Sequence, residues 1–238
     1  MEVMTPLPLS HIDFCIENMT NINFYTNQFE KNKLIVIDNF ISPDWIKKNF
    51  WPEIENCTPF IHRVNIKTFK KSGSTSSVLL EKHAPSLFSL YYSENFKKCV
   101  ERIVGVPLQR CPPDDLHSVA LYHYTEPGDY IGVHYDKSFY RGRRYTVLLG
   151  MIQDSLASKL VCYPGSSKLN RRKNPIEVVT HPGTLIIFDG DTLWHEVTPL
   201  LTNERRVILT MEFVTDIRMT KISRWVSNFK DKLLYFGK

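Results

Sequence analysis

Four turn dipeptides, Pro127-Gly128, Pro164-Gly165, Pro182-Gly183 and Asp189-Gly190, divide the stretch from Ser118 to Asp216 into short runs. Proline presets the φ of a turn and glycine tolerates a positive one, so each pair marks a place where the chain reverses. The runs between them follow strand periods near 118–125, 131–136, 144–152, 159–163, 175–180, 184–188, 194–199 and 205–215. Many short strands separated by turns argue for a sandwich or a barrel. A chain of 238 residues accommodates one such unit with support on either side, and it contains no repeat or low-complexity segment.

The flanks read differently. Lys33 to Phe40, KLIVIDNF, is a buried strand by its β-branched run. Ser42-Pro43-Asp44 then supplies a cap, a proline in the first turn and an acid near the positive end of the helix dipole. That helix is expected to turn Trp45, Ile46 and Phe50 inward before Pro52 interferes. Pro85 to Val104 repeats Phe96, Cys99, Val100 and Ile103 at helical spacing and should break near Ser93. The basic segment from Pro59 to Val78 carries SGSTSS (Ser72–Ser77), which reads as a loop. Ile222, Trp225, Val226, Phe229 and Leu233 share one face of a closing helix. The first thirty residues carry no assignable pattern. The expected architecture is mainly β with flanking α. It is a single domain over 1–238, with helical and mixed support over 1–117, the β core over 118–216 and a C-terminal helix over 217–238.

Chemistry enters at the end of SVALYHYTEPGDYIGVHYD (Ser118–Asp136). In an extended segment, residues two apart point to one face, so the His134 imidazole and the Asp136 carboxylate can meet at a point. A lone HxD triplet is weak evidence, but PGTLIIFDGDTLWH (Pro182–His195) adds weight. There two turns bracket an apolar strand and deliver His195 at the start of the next one. Two histidines and a carboxylate with coordination positions left open form the facial triad of non-haem Fe(II) oxygenases. An arginine in a pocket beside them suits a dicarboxylic co-substrate, because its fork binds a carboxylate bidentately.

Two arginines compete for that role, Arg205 and Arg206, on opposite faces of one strand. Arg205 shares its face with Val207, Leu209 and Met211, and an apolar face argues for Arg205 as the clamp. Tyr124, ten residues before His134, is a candidate for the co-substrate pocket or for packing in the core. His123 should face away from Tyr122 and Tyr124. The remaining histidines (His11, His62, His83, His117 and His181) and the basic run KLNRRK (Lys168–Lys173) have no partner spacing and read as ordinary polar surface.

Composition narrows the partners. A formal charge of +5 favours anionic small molecules only weakly. Nucleic acid would call for clustered basic residues with stacking aromatics, which are missing. Five cysteines, scattered and without a CxxC pair, argue against a disulfide framework or zinc knuckle and for a reducing cytoplasm. No signal sequence is visible at the start, and the longest apolar stretch, Val147 to Ile152, is too short to span a bilayer. Oligomeric state is not legible.

The order HxD, His, Arg, with HEVTPL (His195–Leu200) and RRVILTMEF (Arg205–Phe213), resembles the 2-oxoglutarate/Fe(II)-dependent oxygenases, in their prolyl-4-hydroxylase-like branch. The resemblance covers roughly Ser118 to Asp216. It implies a double-stranded β-helix (jelly-roll) core, with Fe(II), 2-oxoglutarate and O2 as cofactors and ascorbate as a stimulant. It makes His134, Asp136 and His195 the iron ligands and Arg205 the partner of the far 2-oxoglutarate carboxylate, with Tyr124 in the same pocket.

More narrowly, ALYHYTEPGDYIGVHYD, RYTVLLGMIQDS and LTMEFVTD are similar to small enzymes that hydroxylate or halogenate free amino acids, lysine-like or otherwise aliphatic. Halogenating members carry Gly where this chain has Asp136, so the resemblance implies hydroxylation. Residues for the amino acid itself do not carry over, and Arg63, Glu212, Asp216 and Trp225 stand as candidates. Three rivals remain: a hydroxylase of peptidyl or protein side chains, a non-catalytic jelly-roll binding protein, and a zinc hydrolase. The last leaves Arg205 unexplained and lacks an HExxH-type base.

Overall fold

The computed structural model describes residues 10–17 and 19–219. The chain opens with helices α1 (Ser10–Glu17) and α2 (Ile22–Asn32), strand β1 (Leu34–Ile37) and helices α3 (Pro43–Asn49) and α4 (Trp51–Cys57). Pro43 occupies the first turn of α3, as expected. Pro52 does not merely end that helix; it opens the next one, where its missing N–H costs nothing. Ile46 and Phe50 are buried and Trp45 packs against the same core.

A hairpin of β2 (His62–Ile66) and β3 (Lys70–Thr75) follows, then α5 (Ser77–His83), α6 (Pro85–Tyr92) and α7 (Glu94–Val104). The break between α6 and α7 falls at Ser93, whose Oγ accepts a hydrogen bond from the Phe96 backbone N–H at 3.1 Å. Such a cap is worth about 1 kcal/mol. The buried Glu53 carboxylate accepts from the Ser86 and Leu87 N–H groups at 3.1 Å, so α4 caps the start of α6.

Strand β4 (Gln109–Arg110) leads into the core: β5 (Val119–Tyr124), β6 (Tyr130–His134), β7 (Arg144–Asp154), β8 (Leu160–Tyr163), β9 (Ile176–Val178), β10 (Leu185–Asp189), β11 (Trp194–Val197) and β12 (Arg205–Val214). These are the eight strands read from the sequence. All pairings are antiparallel, in the order β1-β10-β7-β12-β5-β3-β6-β11-β8-β9, with β2 on β3 and β4 on β12. The sheet winds into the nearly closed barrel of a jelly roll with flanking helices.

Two expectations are corrected. SGSTSS is not a loop: most of it lies in β3, which is inserted between β5 and β6. Small polar residues suit this position because Ser72, Gly73 and Thr75 sit in tight quarters. A Cβ on Gly73 would stand 2.4 Å from Ile61 Cγ2. Consequently the β unit is not confined to 118–216; β1 and β3 from the first half complete it. Residues 217–219 are not helical, and the rest of the expected closing helix lies outside the described residues. No described helix is long and apolar enough to cross a membrane.

Strands β1, β5, β7, β10 and β12 separate two interiors. Val147, Leu149, Met151, Val207, Leu209, Met211 and Phe213 belong to a core shared with Ile46, Leu87, Phe96 and Val100 of the helices. Leu148, Leu160, Phe188, Val197 and Ile208 point the other way, into the barrel. A register shift between Val207 and Ile208 makes a bulge in β7, so Met151 and Ile152 both turn to the helices.

Gly183 shows what the turn dipeptides accomplish. Its φ is +82°, its carbonyl accepts from the Ile41 N–H, and a Cβ there would lie 1.8 Å from the Ile41 oxygen. Gly128 has a similar φ of +80° with open space around it. Gly128→Ala should therefore cost only the left-handed penalty, about 1–2 kcal/mol. Gly183→Ala adds a backbone collision and should cost on the order of 3 kcal/mol or more. Urea denaturation midpoints compare the two; equal losses would contradict the close approach to Ile41.

Candidate functional site

His134 and His195 are direct cross-strand partners in the β6–β11 ladder. Side chains so paired stand on one face about 5 Å apart. Each imidazole is then held by its own backbone. His134 Nδ1 lies 2.8 Å from the Gly132 carbonyl oxygen, and His195 Nδ1 lies 3.1 Å from that of Leu193. A carbonyl only accepts, so in both rings Nδ1 is the donor and Nε2 is the nitrogen left for another partner.

Those two Nε2 atoms lie 3.4 and 3.8 Å from the same oxygen, Asp136 Oδ1. Donors bound at about 2.1 Å to one ion stand roughly 3.0–3.5 Å apart, so the spacing fits a single metal. Asp136 follows the end of β6; its N–H donates to the Gly190 carbonyl at 2.8 Å, and its Oδ2 accepts from the Thr146 hydroxyl at 2.8 Å. Burial alone would raise the Asp136 pKa, but His195, His134 and Arg144 outweigh it and hold the carboxyl well below the usual range. Burial, with His134 beside it, lowers His195 to about 4. At neutral pH His195 is therefore a neutral imidazole beside a carboxylate, the protonation states that a cation requires of them. None of the other histidines joins a metal-capable group among the described residues.

The three residues line a cavity of about 80 Å³ inside the barrel. Ile131, Leu148, Leu160, Phe188, Val197 and Ile208 give it apolar walls. Alternate residues of β12, from Arg206 through Ile208 and Thr210 to Glu212, run along one side. Arg206 marks the inner end at 1% exposure, while the side chains of His134 and Asp136 keep 22% and 16%.

The arginine in the pocket is thus Arg206, and the expectation for Arg205 is corrected. Arg205 points outward, where its Nη1 meets Glu55 at 2.6 Å. The apolar face that Arg205 shares with Val207, Leu209 and Met211 is the one covered by helices. The pocket face is the mixed one.

Arg206 is held with care. Its Nε donates to the Thr180 hydroxyl at 3.0 Å, which itself donates to Gln153 Oε1 at 3.0 Å. Its guanidinium carbon lies 4.9 Å from the centre of the Tyr124 ring. Nη1 is buried without a hydrogen-bond partner. Burial pulls the Arg206 pKa down, and the same burial pushes Tyr124 up to about 12 against the pull of Arg206. Tyr124 lines the cavity, so it is both packed and part of the site. His123 faces the other way, as expected, with Nε2 3.1 Å from Thr75 Oγ1; burial lowers it to about 3 and leaves it neutral.

Of the remaining candidates, Glu212 lines the cavity and two others do not. Arg63 grips Asp129 through two hydrogen bonds, 2.9 and 2.5 Å, and Asp216 pairs with Arg218 at 2.6 Å. Trp225 lies outside the described residues. Arg144 and Thr146 also line the cavity and belong to no motif spacing. Their signal is the alternation in RYTVLL, where Arg144, Thr146 and Leu148 share the face opposite Tyr145 and Val147.

No protein-family model and no curated protein sequence matches the chain. Solved structures do match its fold. The α-ketoglutarate-dependent epimerase SnoN from nogalamycin biosynthesis is 10% identical with a TM-score of 0.67, covering 81% of each chain. A Pseudomonas putida prolyl-4-hydroxylase is 12% identical with a TM-score of 0.61, covering 83% of this chain and 99% of its own. A Trichoplax adhaerens prolyl hydroxylase, solved with a peptide fragment of hypoxia inducible factor, is 16% identical with a TM-score of 0.59, covering 94% and 98%. The likeness is one of fold.

The Thr146 hydroxyl provides a test of the metal centre. Partners that orient a ligating carboxylate typically contribute 10–100-fold to metal affinity. Thr146→Val keeps the volume and removes the donor to Asp136, so Mn(II) should bind about 10–100-fold more weakly by calorimetric titration. Unchanged affinity would separate Thr146 from the ligand set.

Proposed function

We propose that this chain is a non-haem Fe(II)- and 2-oxoglutarate-dependent dioxygenase that hydroxylates an unactivated C–H bond of a small free amino acid. One observation carries the reading: Arg206 presents a buried, unpartnered Nη1 inside a cavity that two histidines and a carboxylate also line. A desolvated cation without a counter-charge is costly, and a carboxylate arriving from the cavity completes it. A dicarboxylate reaching from Arg206 to the metal ligands satisfies both ends. A zinc hydrolase or an inert binding fold leaves that guanidinium without a purpose.

His134, Asp136 and His195 would hold the iron by three positions and leave the others open. Iron held there would, with 2-oxoglutarate and O2, supply the oxidising power for C–H hydroxylation, 2-oxoglutarate going to succinate and CO2; ascorbate is the expected stimulant. The protein contributes position and exclusion. Arg206, locked by Thr180 and Gln153, fixes the far carboxylate, and Tyr124 covers the guanidinium face. Leu148, Leu160, Phe188 and Ile208 keep water from the channel. Asp136 fills the place that a halide would need, and its charge disfavours an anion beside it.

A cavity this small suits a free amino acid better than a folded segment of another protein. The Trichoplax neighbour, solved with a peptide fragment, supports a second reading in which the substrate is a protein side chain. Five cysteines, none in a disulfide, fit a reducing cytoplasm.

Two outcomes are expected. Removing one partner from a buried charge pair costs about 2–5 kcal/mol, so Arg206→Ala should raise the 2-oxoglutarate requirement by at least roughly thirtyfold. Arg205→Ala, which loses only a surface contact with Glu55, should leave it near wild type. Steady-state succinate formation measures both; the reverse order would return the clamp to Arg205. Separately, screening the twenty amino acids with iron, 2-oxoglutarate and excess chloride should give a product heavier by one oxygen in mass spectrometry. A chlorinated main product would overturn the hydroxylase reading, and turnover only on peptides would favour the second.

A further inference from the structure

Beyond the metal ligands, the same cavity is lined by a second charged group, Arg144 and Glu212. Arg144 Nη2 donates to Glu212 Oε1 in a close ion pair, with side-chain exposures of 15% and 8%. The strand register puts this pair beside the metal set. Glu212 is the cross-strand partner of Thr146, whose hydroxyl donates to Asp136, and Arg144 precedes Thr146 by one step on the same face. Gly190 leaves the room: a Cβ there would stand 3.2 Å from Asp136 Cβ and 3.4 Å from Arg144 Cγ.

We propose that Arg144 and Glu212 form the seat for the charged head group of the primary substrate, Arg144 taking its α-carboxylate and Glu212 its α-ammonium. This rests on the oxygenase reading above and names the part of the pocket that would make it an amino-acid enzyme. The charge arithmetic favours a zwitterion. With the cavity empty, the two residues neutralise each other. An inserted zwitterion replaces one ion pair by two and adds no net charge to a half-dry site. A substrate with only one of its charges leaves Arg144 or Glu212 desolvated and unpaired, a costly outcome. Cys111 and Asp115 also approach Glu212, their ligand atoms lying within 4.8 Å of one another. That trio does not read as a second metal site. Glu212 is already engaged by Arg144, and burial raises the Cys111 thiol to about 12, keeping it protonated.

The test begins with wild-type enzyme loaded with Mn(II) and 2-oxoglutarate, titrated calorimetrically with each of the twenty L-amino acids. At least one is expected to bind. Its N-acetyl derivative and its carboxamide should each bind on the order of 100-fold more weakly. Glu212→Gln should show the same loss for the parent amino acid, with Mn(II) and 2-oxoglutarate affinities at wild-type values as the check on folding. Derivatives that bind as well as the parent would overturn the proposal, as would failure of all twenty while the metal and 2-oxoglutarate bind. Failure of wild-type enzyme to bind metal and 2-oxoglutarate would instead remove the oxygenase reading on which it rests.

Discussion

Alternate residues of β12 serve two different interiors. Val207, Leu209, Met211 and Phe213 press against the helices, while Arg206, Ile208, Thr210 and Glu212 face the barrel. Because side chains alternate with a period of two, a slip of one residue would exchange these sets. It would place a guanidinium and a carboxylate among Leu87, Phe96 and Val100, and four apolar side chains in the pocket. Each of those apolar residues contributes about 1.5–3 kcal/mol by burial. The helix-side core therefore fixes the register of the strand, and the register fixes where the polar groups stand.

That division also explains how the barrel tolerates charge. Arg206, Arg144, Asp136 and Glu212 all project inward, and each is answered by a specific partner. Thr180 and Tyr124 hold one guanidinium, Glu212 the other, and Thr146 with the two histidines holds Asp136. Two buried nitrogens among them lack a hydrogen-bond partner, Nη1 of Arg206 and Nε of Arg144, and both residues line the cavity. The helices supply the apolar contact that offsets this polar interior. The described helices pack on the outer face of the sheet and contribute none of the described residues that line the cavity.

The eight strands over 118–216 and the three metal-ligand candidates were legible because both depend on local pattern: turn chemistry, period two and a triplet at a strand end. What failed depended on which partner covers which face. Arg205 looked right because its neighbours Val207, Leu209 and Met211 are apolar, and an apolar face was equated with the pocket. In a sheet wrapped by helices the apolar face is the helix side, and the cavity side carries Thr210 and Glu212. The β3 strand was missed for a related reason. Ser72, Gly73, Ser74 and Thr75 lack the bulk that marks a strand, yet crowding by Ile61 and Arg63 calls for small residues there. Arg144 and Thr146 were visible in the alternation of RYTVLL, but a strand read only for its core says nothing about its other face.

The metal set and the arginine are fixed by different means, and the difference has consequences. His134 and His195 stand in direct register across β6 and β11, and the ladder becomes irregular immediately after, between His195 and Val197. Their geometry is a property of backbone pairing, reinforced by two imidazole contacts to backbone carbonyls. Asp136 lies beyond the strand and is held by a hydroxyl and one backbone hydrogen bond, with Gly190 leaving space around it. Of the three candidate ligands it has the least backbone behind it. Exchange of that residue for another would leave the two histidines where they are, because nothing in the β6–β11 ladder depends on the carboxylate. The fold can thus alter the third candidate ligand without rebuilding the strand pairing that places the first two.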